Sequence, residues 1–315
     1  MMRKTLAVLA IVVVLSMLLT SCGGSVKEQN KLSVSGAFAL YPLMVKWAEV
    51  YQAENSDVII DVSAGGAGKG MSDALAGAVD IGMVSRGIAQ EELDLGAYTI
   101  GVTKDAVFGT VSAQNPYLAD ILKMGISQKT LAGIYLTGQI TTWGQVLGKP
   151  EITDEIHVYT RSDACGAGEM WVKYLGGKNQ EELLGIGVNA DPGVLEAVIK
   201  DPLGIGYNNL NYAYDITTGV PVAGARVIPL DVNENNQVDS EELLDTQSQA
   251  VDAISSGRYP SPPARALNLV TKGKPTGTTM EFIAWILTDG QQYVAEAGYI
   301  ALTPDELIES QNRLK

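Results

Sequence analysis

Residues 63–86 read SAGGAGKGMSDALAGAVDIGMVSR: a glycine-rich turn, an amphipathic helix and a short apolar strand follow one another without a break. Glycines let the turn take positive φ and let a ligand come close to the amides. The first-turn N–H groups of the helix have no intrahelical partners, so loop and helix dipole together form an anion site. Residues 80–84 read as a strand whose exit delivers Ser85 and Arg86, a hydroxyl and a permanent cation. A nucleotide-binding P-loop is rejected, because it needs Gly, four residues, then Gly-Lys-Ser/Thr. Lys69 follows Gly68, but Ser63 stands where the first glycine should be and Gly70 where the Mg²⁺-binding hydroxyl should be.

Upstream, residues 32–34 form a short alternating strand that leads into SGAFALY and Pro42. Proline suits the first helical position, and Met44, Trp47, Ala48 and Tyr51 recur behind it at helical spacing. With a further strand over 58–62, the order β, α, β, α, β predicts a mostly parallel sheet with ligands at the carboxyl ends of its strands. Downstream, apolar runs over 98–102 and 106–111 read as strands crossing into a second lobe. Residues 156–159 form a strand ending in TRSDACGAG, followed by helical EMWVKYL. This is a third loop opening onto a helix, again with an arginine, Arg161, at a strand exit. A helix over 193–200, a buried strand over 203–207, a return strand over 266–270 and helices over 279–287 and 290–298 complete the pattern.

The chain has 315 residues, 46% of them hydrophobic, enough for two lobes with separate cores. It opens with Arg3 and Lys4, an apolar run over 6–19, then Leu19-Thr20-Ser21-Cys22. A basic segment, a short apolar core and small residues at the break describe a secretory signal. Its close resembles the bacterial and archaeal lipoprotein signal, in which the cysteine becomes the lipidated first residue. Residues 1–21 are thus the signal, Cys22 the lipidation site and residues 22–31 a flexible tether. Without Arg3 and Lys4, 20 basic residues face 36 acidic ones, a net charge of −16. That argues against nucleic acid and against an anionic membrane surface, so the membrane is met through the lipid anchor alone. With Cys22 lipidated, Cys165 has no disulfide partner, and the single histidine, His157, supports no zinc cluster.

Six stretches in order resemble the phosphate-binding proteins of ABC transporters: GAFALYPLMVKWAEVYQ, the glycine loop with AGAVDIGMVSR, LAGIYLTGQITTWGQV, TRSDACGAGEMWVKYLG, DPLGIGY and ILTDGQQYVAEAGYIAL. The resemblance implies an α/β, two-lobed type II periplasmic-binding-protein fold, with mixed sheets flanked by helices and a ligand cleft between the lobes. Lobe 1 would comprise residues 32–105 and 265–315, and lobe 2 residues 106–264. The family's ligand positions fall on Phe38, Ala39, Ala67 and Arg86 with Ser85 beside it, and on Arg161, Cys165, Gly166 and Ala167. Relatives usually carry Ser or Thr at several of these places, and here Phe38, Ala39, Ala67, Cys165 and Ala167 lack the hydroxyl. Arg86 stands where some relatives have an aspartate that accepts a proton from hydrogen phosphate. Loss of that acceptor weakens discrimination against a fully ionised anion such as sulfate. Asp163 is expected to orient Arg161, since a carboxylate repels an anion.

A second motif, DVNENNQVDSEE over residues 231–242, places oxygen ligands at positions 1, 3, 5, 9 and 12 of a loop: Asp231, Asn233, Asn235, Asp239 and Glu242. Gln237 supplies a backbone carbonyl at position 7, completing the EF-hand calcium pattern. Asn236 replaces the usual glycine, and asparagine tolerates the left-handed conformation. The expected Ca²⁺ is structural, and no cofactor is required. The chain therefore reads as a monomeric extracytoplasmic lipoprotein that hands a tetrahedral oxyanion, phosphate first, to ABC permease subunits without performing chemistry. The alternatives are sulfate, molybdate or tungstate as ligand, a sensory role, or a phosphatase-like enzyme. The last lacks a carboxylate cluster with the spacing of a two-metal centre.

Overall fold

The structure, a computed structural model, describes residues 30–315; the signal segment, Cys22 and most of the expected tether lie outside the described residues. Nine strands form one continuous array: β1 (Asn30–Gly36), β2 (Val58–Ala64), β3 (Ile81–Val84), β4 (Ala97–Ser112), β5 (His157–Arg161), β6 (Ile186–Val188), β7 (Gly204–Asn209), β8 (Ala225–Val227) and β9 (Ala264–Lys272). Their order is β2-β1-β3-β9-β4-β7-β5-β6, with β8 against β4. The βαβαβ start does give parallel pairing of β1 with β2 and β3, while β9 runs antiparallel to both β3 and β4. The sheet is therefore mixed. Helices cover it, and none among the described residues is long and apolar enough to cross a membrane.

Two hydrophobic cores divide the chain into lobes. One gathers β1–β3, the first half of β4 and the end of β9, including Trp47, Met83, Ile100 and Phe282. The other gathers the second half of β4 with β7 and β8 and the helices around them, including Phe108, Trp143, Trp171 and Tyr207. In the first, Trp47 Nε1 donates to the Gly290 carbonyl (2.8 Å), and Tyr51 meets Phe282 at 4.9 Å. In the second, Trp171 stacks on Tyr207 with centroids 5.7 Å apart, and Tyr135 meets Trp171 edge-on. The stack seats the helix Gly166–Tyr174 on β7.

Two sequence expectations change. Asn30 and Lys31, expected in the tether, belong to β1 and pair with Val58 and Ile59. The two crossing strands over 98–102 and 106–111 are a single 16-residue strand, β4. Thr103, Lys104 and Asp105 broke the apolar pattern, yet Thr103 and Asp105 are buried with partners: Thr103 Oγ1 donates to the Ile300 carbonyl (2.8 Å), and Asp105 faces Arg265 across the ladder. A register shift between Gly101 and Thr103 absorbs the change. The structure adds helices Gln247–Ser255 and Pro304–Leu314, each opened by a threonine capping box, Thr246 with Gln249 and Thr303 with Glu306.

Candidate functional site

Three strand ends carry loops into the junction between the lobes. The first two are tied together: the Gly36 carbonyl, at the end of β1, accepts from Gly65 N (2.9 Å) and Gly66 N (3.0 Å) at the end of β2. The third loop follows β5 and meets them from the other lobe. Gly68 N approaches the Ala164 carbonyl at 3.4 Å. A Cβ on Gly66 would sit 2.6 Å from that carbonyl oxygen, and one on Gly166 would sit 2.2 Å from the Ser85 carbonyl oxygen. Glycine at these two positions is what lets the lobes close to backbone contact.

Around this junction the N–H groups of Phe38, Ala39, Ala67, Gly166 and Ala167 find no acceptor among the described residues. Ala67 opens the helix Ala67–Ala76, and Gly166 and Ala167 open the helix Gly166–Tyr174, so helix geometry leaves these donors free and the helix dipoles favour negative charge in front of them. Ser85, buried, lies against Gly166. Cys165 behaves differently from its neighbours. Its amide donates to Gln180 Oε1 (2.9 Å), and its sulfur accepts from Gly168 N (3.2 Å) as the helix cap. Burial pushes the thiol up to about 12, so it stays protonated at neutral pH. Gln180 Nε2 in turn holds the Arg161 and Asp163 carbonyls, bracing the third loop.

The two expected arginines are heavily partnered. Arg161 is buried; its Nε donates to Asp163 Oδ1 (2.8 Å), Nη2 to Asp163 Oδ2 and Nη1 to Asp191 Oδ2. Of its five N–H bonds two remain, and its guanidinium lies 5.2 Å from the Phe38 ring centre, a cation–π contact between lobes. Asp163, together with Asp191, thus orients Arg161. Arg86 is taken up by carboxylates of its own. It pairs with both Glu92 oxygens, donates to the Gly87 carbonyl (2.8 Å) and sets Nε 3.3 Å from Glu169 Oε2 in the opposite lobe. Hydrogen bonding to Glu92 raises the arginine's pKa and lowers that of Glu92, as expected of a fixed ion pair. A cavity of about 330 Å³ opens on this rim, lined by Gly68, Arg86, Glu92, Cys165, Glu169 and Gln180 among others.

Sequence reasoning missed a buried chain of polar groups behind Arg161. Asp191 accepts from Asn209 N (2.9 Å) and Asn209 Nδ2 (2.8 Å), Asn209 Oδ1 accepts from Arg265 Nη2, and that nitrogen lies 3.3 Å from Asp105 Oδ2. A lone arginine and a lone aspartate inside apolar runs were the available signals. Burial pushes Asp105 up to about 6, against the opposing pull of Arg265.

The loop over 231–242 takes a compact turn with Glu234 and Asn236 in left-handed conformation. The Asp231 carboxylate accepts from Asn235 N and Asn236 N (both 3.0 Å), and the Asn233 and Asn235 side-chain amides converge on Asp239 Oδ2 at 2.8 and 3.0 Å. Glu242 is turned onto Val232 N (2.8 Å) and Asp239 N (3.1 Å). Among the described residues no three His, Cys, Asp or Glu side chains are gathered as a metal site.

Comparison with known proteins adds three findings. Residues 24–290 match the family profile described as a PBP superfamily domain. The phosphate-binding protein PstS of Bacillus subtilis is 30% identical over 286 residues, covering 90% of this chain and 84% of that protein; the PstS of Methanocaldococcus jannaschii is 28% identical, covering 82% and 79%. Among solved structures, a putative phosphate ABC transporter substrate-binding protein from Clostridium perfringens superimposes with a TM-score of 0.70 at 23% identity, over 87% of this chain and 100% of that one. An ABC-type phosphate transport receptor from Vibrio cholerae gives 0.62 at 21%, over 86% and 100%. These two show the shared fold.

Because burial raises the Asp105 pKa, the native state holds its proton more tightly than the unfolded chain does. Its stabilising contribution is therefore complete below about pH 4 and lost as pH rises through about 6. Asp105→Asn removes that loss. In urea titrations from pH 4 to 7, the variant's stability relative to wild type should improve as pH rises; a constant difference would refute the assignment.

Proposed function

Since the chain belongs to the PBP superfamily and, within it, to the phosphate-binding proteins of ABC transporters, we propose that it captures phosphate outside the cytoplasmic membrane for an ABC importer. It is a binding protein and not an enzyme. The observation that carries the reading is the convergence of five unclaimed backbone N–H donors, from three loops on two lobes, at one closed junction. A tetrahedral oxyanion offers acceptors in all directions and can use them together.

In this reading Phe38, Ala39, Ala67, Gly166 and Ala167 contribute amides, Ser85 its hydroxyl, and Arg161 its two remaining N–H bonds. Cys165 shapes the third loop as a cap and has only its thiol hydrogen to offer. Arg86 acts across the cleft through Glu169 and not on the anion directly. The permease partner contacts the closed form, and the protein works as a monomer. Calorimetry on the purified protein should show phosphate binding one to one, with arsenate competing. Heat only with sulfate, molybdate or tungstate would reassign the ligand, and heat with none would overturn the reading.

We propose further that Cys22 carries a lipid anchor, on the strength of its place behind Leu19-Thr20-Ser21. Intact-mass measurement of the membrane fraction should show acyl chains on the terminal cysteine, and Cys22→Ala should release the protein; a soluble, unmodified wild type refutes it. The loop over 231–242 is proposed to bind Ca²⁺ on the spacing of its oxygen-bearing residues and its compact turn; Asn233 and Asn235 would have to turn from donating to Asp239 so that their oxygens face the ion. Chelator should lower the melting temperature by several degrees and calcium restore it, with Glu242→Gln insensitive to both. An unchanged melting curve excludes the ion.

A further inference from the structure

Arg265 occupies the point where β9 passes from one core to the other, with Ala264 in one and Leu267 in the next. It stands opposite Asp105 in the ladder, and its side chain is only 4% exposed. Nη2 serves Asn209 and lies near Asp105, but Nε and Nη1 are buried with no partner among the described residues. Together those two nitrogens carry three N–H bonds. Unpaired buried donors on a charged group are costly, and a folded chain retains them where a water, an ion or a ligand accepts them.

The surroundings say what that is. Arg86 and Arg161 each have two carboxylates in contact, whereas Arg265 has one, and burial disfavours the ionised form of that one. Arg265 is within electrostatic reach of Arg161, Asp191 and Cys165, the last being the cap of the helix that presents Gly166 and Ala167. On the other side, the Ala39 carbonyl accepts from Tyr299 Oη (2.7 Å), and Ile300, next to Tyr299, pairs with Lys104, next to Asp105. Arg265 is thus linked to the third loop by the hydrogen-bonded run through Asn209 and Asp191 to Arg161, and lies behind the junction the loops form. We propose that Arg265 is a direct ligand of the captured oxyanion, supplying from the hinge the unsaturated charge that the partnered Arg86 and Arg161 do not. The proposal rests on the anion-binding reading of this cleft and deepens it. It suits a site whose loop residues Phe38, Ala39 and Ala67 carry no hydroxyl: a guanidinium at the hinge supplies side-chain donors that these positions do not.

The test is calorimetry with inorganic phosphate on the full chain and on Arg265→Gln, Arg265→Lys and the double variant Arg265→Gln/Asp105→Asn. The double variant leaves no unpaired buried carboxylate, so it keeps the test open if the single glutamine variant misfolds. Affinity should fall about 100-fold in both glutamine variants. It should fall about 10-fold with lysine, which keeps the charge without the planar donor set. In wild type, the Arg265 Nε–H resonance, assigned by its absence from Arg265→Lys, should move on adding phosphate. Wild-type binding with the double variant within about threefold, or a stationary Nε–H signal, overturns the proposal. Failure of wild type to bind phosphate instead removes the functional reading beneath it.

Discussion

The antiparallel pairing of β4 with β9, from Ala97 with Lys272 to Ala106 with Ala264, is the constraint on which the molecule depends. The chain passes from one core to the other along β4 and returns along β9, so the lobes are joined by a ladder and not by flexible cord. A paired hinge restricts relative motion to bending and twisting about a short axis. The three loops can therefore separate and meet again in the same register. The register shift between Gly101 and Thr103 falls close to the change of core, where a strand must turn to serve two lobes.

Charge is handled by pairing at close range. The chain is acidic overall, with a formal net charge of −14, yet it keeps cations inside the junction by giving them carboxylates of their own. Asp163 and Asp191 hold Arg161 in one orientation, and Glu92 does the same for Arg86. Such pairs contribute placement more than stability, because desolvation offsets much of the Coulombic gain. An anion placed among the free amides would meet fixed dipoles that need little reorganisation.

Much of this was legible in the sequence because it is local. Glycine-rich turns before amphipathic helices, arginines at strand exits and the βαβ alternation are short-range patterns, and they located the three loops. What escaped is non-local. Asp105 and Arg265 are 160 residues apart, and nothing near either one marks the other. The fusion of two expected strands into β4 escaped for the same reason, since the polar residues in its middle find partners only in the folded chain. The direction of Arg86 was equally hidden: its position at a strand exit was readable, but the carboxylates that claim it, Glu92 and Glu169, come from a short helix and from the other lobe.

The Arg86–Glu169 contact spans the cleft rim with both side chains partly accessible to water. An ion pair so placed favours the shut arrangement whether or not the cleft is filled, and it weakens as ionic strength rises. Opening the cleft would break this contact, so the pair would slow ligand entry while stabilising empty and filled closed forms alike. The rate of capture would then rise with the salt of the surroundings, through one contact on the rim between side chains of opposite lobes.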